Sequence, residues 1–223
     1  MNKYDLVRKI EEFAPSETQE DWDCSGWIVD SDKKEVSKIM LALTVTDDVF
    51  EQAKAQNCDL IISHHPLFTV PIKYKDIDIY CAHTNMDKAK GGTTDTLIKK
   101  LGFEISEYFG DFVRIVRFDN PISTEELFNK LKTISPHTRM VNNNNQKEIK
   151  SIGFCAGSGS EFAEETQVDA FVTGDIKYHC ASESDIILYD IGHFESEILI
   201  LDTFEKLLGI EVVRADEKTP FIY

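Results

Sequence analysis

Adjacent histidines at positions 64 and 65, an H-x-x-x-E pair at His193 and Glu197, and an H-x-x-x-D pair at His83 and Asp87 are the residues here best suited to chemistry. Imidazole and carboxylate together suit divalent zinc, manganese, iron or cobalt, and the lack of a thiolate in the set argues against a purely structural zinc. Successive side chains on extended backbone point to opposite sides, so His64 and His65 are expected to serve two ions, one each. His193 and Glu197, four apart at the start of a helix, share a face and form a helical chelate. A carboxylate can bridge two cations and offset their repulsion, which favours Asp87 as a ligand and leaves His83 to orient a ligand or handle protons. Taken singly, His64-His65 also reads as a hydrogen-bonding loop dipeptide, and His193 with Glu197 as a capped helix with a chance i,i+4 pair.

The elements that must hold these residues follow a repeated strand, turn, helix pattern. Residues 4–13 carry Leu6, Ile10 and Phe13 at helical spacing and stop at Ala14-Pro15. An apolar run at 38–46 predicts a strand, and Asp47-Asp48 opens a helix with acids near its positive end. Leu60–Ser63 predicts a strand ending at His64-His65-Pro66, and 77–82 a second one ending at His83 before the helix at 93–102. The alternation in 112–118 predicts a half-exposed strand, followed by a helix capped by Ser123 with Glu126 three residues on. Strands at 150–157, 169–174, 186–192 and 210–215 alternate with helical stretches around 177–184 and 195–209. The fold class is therefore α/β with largely parallel or mixed sheets covered by helices. Five of the six histidines follow the ends of such strands, where reactive loops of open α/β sheets converge, and only His137 stands apart.

Composition narrows the function classes. With 223 residues and 42% hydrophobic content, the chain can bury a core without disulfides. Its five cysteines form no C-x-x-C pair, which fits a reducing compartment and a cytoplasmic protein and argues against an iron–sulfur cluster. A formal charge of −16 repels a phosphate backbone and argues against nucleic acid. The charged amino-terminal stretch reads as neither signal peptide nor anchor, and no apolar run approaches membrane-spanning length.

The stretches WDCSG (22–26), SHHPLF (63–68), HTNMDKAKGG (83–92), GDIKYH (174–179) and GHFESE (192–197) occur in an order and spacing that resemble the Nif-three-like family, also known as GTP cyclohydrolase 1 type 2 homologues. The likeness spans essentially the whole chain; the Cys24-Ser25 pair is a small departure from the first motif. The resemblance implies two interlocked α/β domains, a dinuclear metal site in the cleft between them, and a ring-shaped homohexamer. Carried over by motif, the ligands are His64, His65, Asp87, His193 and Glu197, while Asp23 and His179 are expected to line the substrate cleft. Because the half-sites must meet, the expected division is a first domain of residues 1–105 plus 188–223 carrying the ligands, and a second of 106–187.

Such a site suits a metal-dependent hydrolase of a nucleotide-like or other small substrate, with two divalent ions activating water and Glu197 and His83 managing protons. The family name suggests GTP and hydrolysis of a C–N bond, although no Walker-type loop is present and 157–161 is only a glycine-rich turn. The alternatives are a metal-delivery protein and a ring-shaped scaffold whose metals are structural.

Overall fold

The computed structural model describes residues 1–222, and the chain resolves into two compact units: Met1–Gly92 with Ile200–Lys218, and Thr93–Leu199 with the residues from Thr219 on. The first unit holds α1 (Lys3–Phe13), β1 (Gly26–Val29), β2 (Ile39–Ala42), α2 (Asp47–Ala55), β3 (Leu60–Ser63), β4 (Asp78–Cys81) and α3 (Thr84–Lys88). The second holds α4 (Thr93–Lys100), β5 (Glu107–Phe109), β6 (Val113–Ser123), α5 (Thr124–Leu131), β7 (Arg139–Val141), β8 (Glu148–Ser158), β9 (Ala170–Gly174), α6 (Tyr178–Glu183), β10 (Ile187–Asp190) and α7 (His193–Glu197). Then α8 (Ile200–Leu208) and β11 (Val213–Arg214) return to the first unit.

Both sheets are mixed. The first runs β1-β4-β3-β2-β11, parallel except where β1 pairs antiparallel with β4. The second runs β5-β6-β8-β9-β10-β7, parallel only across β8, β9 and β10. Strands β2, β3, β4, β9 and β10 are buried at every position, which is why they read as continuous apolar runs. Along β8, β9 and β10 alternate residues enter two separate cores, with Phe154, Val172 and Tyr189 in one and Cys155, Phe171 and Leu188 in the other. Met40, Ala42, Ile61 and Ile79 build the core of the first unit with Val49 and Phe50 of α2.

Several elements differ from the sequence reading. The half-exposed strand expected at 112–118 is fully buried over Val113–Val116, because Val113 and Ile115 enter one core, Val116 enters the other, and Arg114 is held by Asp95. The single helix expected at 195–209 is two, since α7 packs on β8 and β9 while the apolar face of α8 (Ile200, Leu201, Phe204, Leu208) faces α1 and β2. The units also divide elsewhere than at 105 and 188. Leu97 and Ile98 of α4 lie in the second unit's core and β10 is a strand of its sheet, so His193 and Glu197 belong to the second unit. Ser123 does cap α5, accepting the Glu126 N–H.

Candidate metal centre

In the first unit three imidazoles converge. His64 and His65 follow β3 directly, and their backbone N–H groups donate to the carbonyls of Ala42, the last residue of β2, and of Leu43 just beyond it. One ligand nitrogen each from His64, His65 and His83 lie within 4.8 Å of one another, close enough to share an ion. This differs from the opposed directions expected of an extended pair: the backbone bends at His64 and His65, and their ring centroids stand 5.2 Å apart. Each ring is held from behind at Nδ1. His64 Nδ1 is 3.0 Å from the Ala82 carbonyl, His65 Nδ1 is 2.7 Å from Thr44 Oγ1, and His83 Nδ1 is 3.1 Å from Asp23 Oδ1. Bonds of this kind fix the tautomer and present Nε2 as the metal donor. His64 Nε2 lies 3.5 Å from Asp87 Oδ1, on α3.

Asp23 is the hub of this support. Its carboxylate is closed off from solvent and accepts from Cys24 N, Ser25 Oγ, Thr84 N and the Thr84 hydroxyl, while Ser25 Oγ in turn accepts from His83 N. The WDCSG loop thus clamps the turn that carries His83, and Asp23 faces that turn instead of lining a cleft. Burial alone would raise the Asp23 pKa, but hydrogen bonds from Thr84 and His83 and the nearby imidazole bring it down to about 2. A folded-state pKa below the unfolded value stabilises the protein above pH ~4 and loses that contribution as pH falls toward 2. We expect Asp23→Asn to remove this part of the acid-unfolding curve, costing about 1–2 kcal/mol at pH 7 and progressively less toward pH 2, as read by urea unfolding across that range.

In the second unit the site is built around α7. Gly192, at φ +81°, turns the chain from β10 into the helix, and Asp190 Oδ1 holds its N–H at 3.0 Å. His193 Nδ1 lies 2.8 Å from Asp175 Oδ2 and its Nε2 2.9 Å from Glu197 Oε2. Burial lowers the His193 pKa, yet Glu197 and Asp175 outweigh it and raise the ring to about 9. Glu197 is only 4% exposed and fits a cradle shaped by glycine, since a Cβ on Gly157 would overlap its Oε1. A Cβ on Gly174 would stand 2.7 Å from the His193 backbone nitrogen. Gly157 N also donates to Ser196 Oγ at 2.9 Å, tying β8 to α7. Imidazole and carboxylate donors with carboxylate or carbonyl support suit a divalent cation in either unit.

A family model described as Duf34/NIF3 (NGG1p interacting factor 3) matches residues 1–221. The chain belongs to the Duf34/NIF3 family. A GTP cyclohydrolase 1 type 2 homolog of Clostridium acetobutylicum is 33% identical, the match covering 86% of this chain and 84% of that one. Its Campylobacter jejuni counterpart is 31% identical over the full length of both. A crystal structure of a Bacillus cereus protein related to NIF3 superposes with a TM-score of 0.86 at 18% identity, over 100% of this chain and 99% of that one, which speaks to the fold alone.

Within this Duf34/NIF3 chain, the structure gathers His64, His65, His83 and Asp87 in the first unit and His193 with Glu197 in the second. His179 stands exposed on α6, its ring edge-on to Tyr178. His137 lines a cavity of about 150 Å³ with Arg139, Asp175 and Asp190. Sequence reasoning missed Thr44 and Asp175, the partners behind His65 and His193. Asp175 falls inside GDIKYH, but its left-handed backbone (φ +54°) and its place behind His193 are visible only in the folded chain. Among the described residues no helix is long and apolar enough to cross a membrane.

Proposed function

We propose that His64, His65 and Asp87 of the first unit and His193 and Glu197 of the second hold two divalent metal ions, and that this centre serves a metal-dependent hydrolase. One observation carries the reading: four histidines from three separate strand ends each have Nδ1 engaged by a protein oxygen, an arrangement expected of metal ligands and their immediate neighbours. The bound ions would supply Lewis acidity and lower the pKa of a water at the reacting centre. His83, whose pKa burial and the neighbouring His64 push down, is neutral near pH 7 and able to take a proton at Nε2. Asp23 behind its Nδ1 stabilises the cation so formed. Glu197, enclosed by Gly157 and facing His193, is the second proton carrier.

The names of the relatives suggest a nucleotide-like substrate opened at a C–N bond, with GTP the first to try. The protein is proposed to act in the cytoplasm as a homohexamer on small molecules. The test is to strip the metal, reconstitute with zinc, manganese or iron, and follow formate release and pterin fluorescence from GTP, with His65→Ala as control. We expect two equivalents bound by the native chain and metal-dependent turnover, with occupancy and turnover both reduced at least tenfold in a His65→Ala protein that remains folded. Two bound equivalents without product from GTP would leave metal delivery or another hydrolysis as the function. Full occupancy in His65→Ala would remove that residue from the ligand set.

A further inference from the structure

We infer that Glu217 is a positioning residue for the His65 imidazole, acting through Thr44; the inference rests on the proposal that His65 binds metal. Beyond Ala42 the β2 strand ends and the backbone bends at Leu43 and Thr44, so two successive N–H groups lose their ladder partners inside the first unit. Successive amides at a bend form a concave donor site that favours an anion. Glu217 fills it, with Oε2 2.6 Å from Leu43 N and Oε1 2.8 Å from Thr44 N. Leu43 is buried, and an unsatisfied donor there would be costly, so the carboxylate decides which conformation the bend adopts.

The same two residues each contact His65. The Leu43 carbonyl accepts the His65 N–H at 2.8 Å, and Thr44 Oγ1 meets the ring at Nδ1. With Nε2 on a metal, Nδ1 carries the proton and donates it to the Thr44 hydroxyl oxygen, so the position of that hydroxyl fixes the ring.

Glu217 is itself delivered by a registered segment and not by a loose end. Strand β11 pairs Val213 with Met40 and Arg214 with Leu41, and Ala215 N continues the ladder to the Leu41 carbonyl at 2.9 Å. Gln52 then grips Asp216 at both backbone groups, accepting its N–H at 2.9 Å and donating to its carbonyl at 3.1 Å. The next residue has its carboxylate on the bend. Nothing in the spacing of the histidine motifs points to it, as 152 positions separate it from His65 in sequence (217 − 65).

The experiment compares Glu217→Gln, Glu217→Ala, Thr44→Ala, Thr44→Ser and the Glu217→Ala/Thr44→Ala double variant in the full chain. Co²⁺ is titrated into metal-free protein with its d–d absorption as readout, and the His65 ring nitrogens are followed by NMR before any metal is added. We expect Glu217→Ala and Thr44→Ala each to weaken Co²⁺ binding about 10–100-fold and to change its spectrum, with Thr44→Ser near native. The double variant should be no worse than the more damaging single change, because the two residues act in series. Glu217→Gln, which keeps one acceptor and the packing, should fold normally and fall between.

Native affinity and spectrum in Glu217→Ala, even with a lowered melting temperature, would overturn the inference, as would full additivity in the double variant. If the native protein takes up no Co²⁺, the metal proposal itself fails. The metal-free NMR signal of His65 then decides the orienting role alone, a shift in Glu217→Ala supporting it and an unchanged ring refuting it.

Discussion

Gly157→Ala is expected to weaken metal binding about 10–100-fold while leaving both sheets formed, the size of effect seen when the surroundings of a ligand are disturbed. A methyl group at this position would occupy the space of Glu197 Oε1, and Glu197 is buried, so its carboxylate can yield only by leaving the place from which it faces His193. The backbone adds a second cost, since φ is +71° and a residue with a Cβ pays about 1–2 kcal/mol there. Gly102 separates the two effects. It has φ +74° with open space around its would-be Cβ, so Gly102→Ala should lose similar stability and keep native metal affinity. Metal content after dialysis against a competing chelator, measured beside the melting temperature, reads both quantities. Equal metal loss in the two variants would show that the glycine cradle has no special relation to Glu197.

A comparably large loss, this time of stability, is expected where Lys3 enters the first unit. Its ammonium is fully buried and spends its three donors on Asp78 Oδ2 at 2.6 Å, Asp30 Oδ1 at 2.7 Å and the Ser31 carbonyl at 2.7 Å. It also lies over the Trp27 ring at 5.0 Å. Asp78, at the start of β4, accepts in addition from Ser31 N. Removing one partner of a buried pair leaves a charge in a medium that solvates it poorly, which typically costs 3–5 kcal/mol. Asp30 remains beside the ammonium, so for Asp78→Ala we expect the lower end, about 3 kcal/mol. Pairing Asp78→Ala with Lys3→Met should cost less than the sum of the two, because no lone charge remains. Both tryptophans, Trp22 and Trp27, belong to the first unit, so tryptophan fluorescence during urea unfolding reports this loss without mixing in the second. A loss below 1 kcal/mol in Asp78→Ala would mean that water reaches Lys3.

What could be read from the sequence followed from which groups announce themselves. The buried central strands are unbroken apolar runs, and the histidines at their ends break those runs visibly, so β2, β3, β4, β9 and β10 and the residues His64, His65, His83 and His193 were all legible. Strands β1, β5 and β7 were not, because each is an edge piece of three or four residues, too short to show a period: Glu107–Phe109 and Arg139–Val141 are three residues each. The break between α7 and α8 was hidden for another reason: α7 buries the polar Ser196 and Glu197, and the apolar run from Ile198 to Leu201 crosses the break with no glycine or proline to mark it. The supporting residues were the least visible. Thr44, Asp175 and Glu217 are ordinary polar side chains whose roles depend on a neighbour far along the chain, and no local pattern carries that information. Asp23 was visible as part of a motif, but its enclosed carboxylate placed behind His83 could be seen only in three dimensions.

Because the first unit is split in sequence, with Met1–Gly92 completed by Ile200–Lys218, the order of synthesis matters to this protein. While the ribosome is making the second unit, the nascent first unit has its three imidazoles but lacks β11 along the edge of β2 and the Glu217 carboxylate over the bend at Leu43 and Thr44. Contacts of such long sequence separation form late, after the loop between them has been closed. The three-imidazole cluster therefore reaches its final geometry only once the intervening hundred or so residues have emerged and Ile200–Lys218 has docked, and any ion held there as proposed would be bound tightly only after that step.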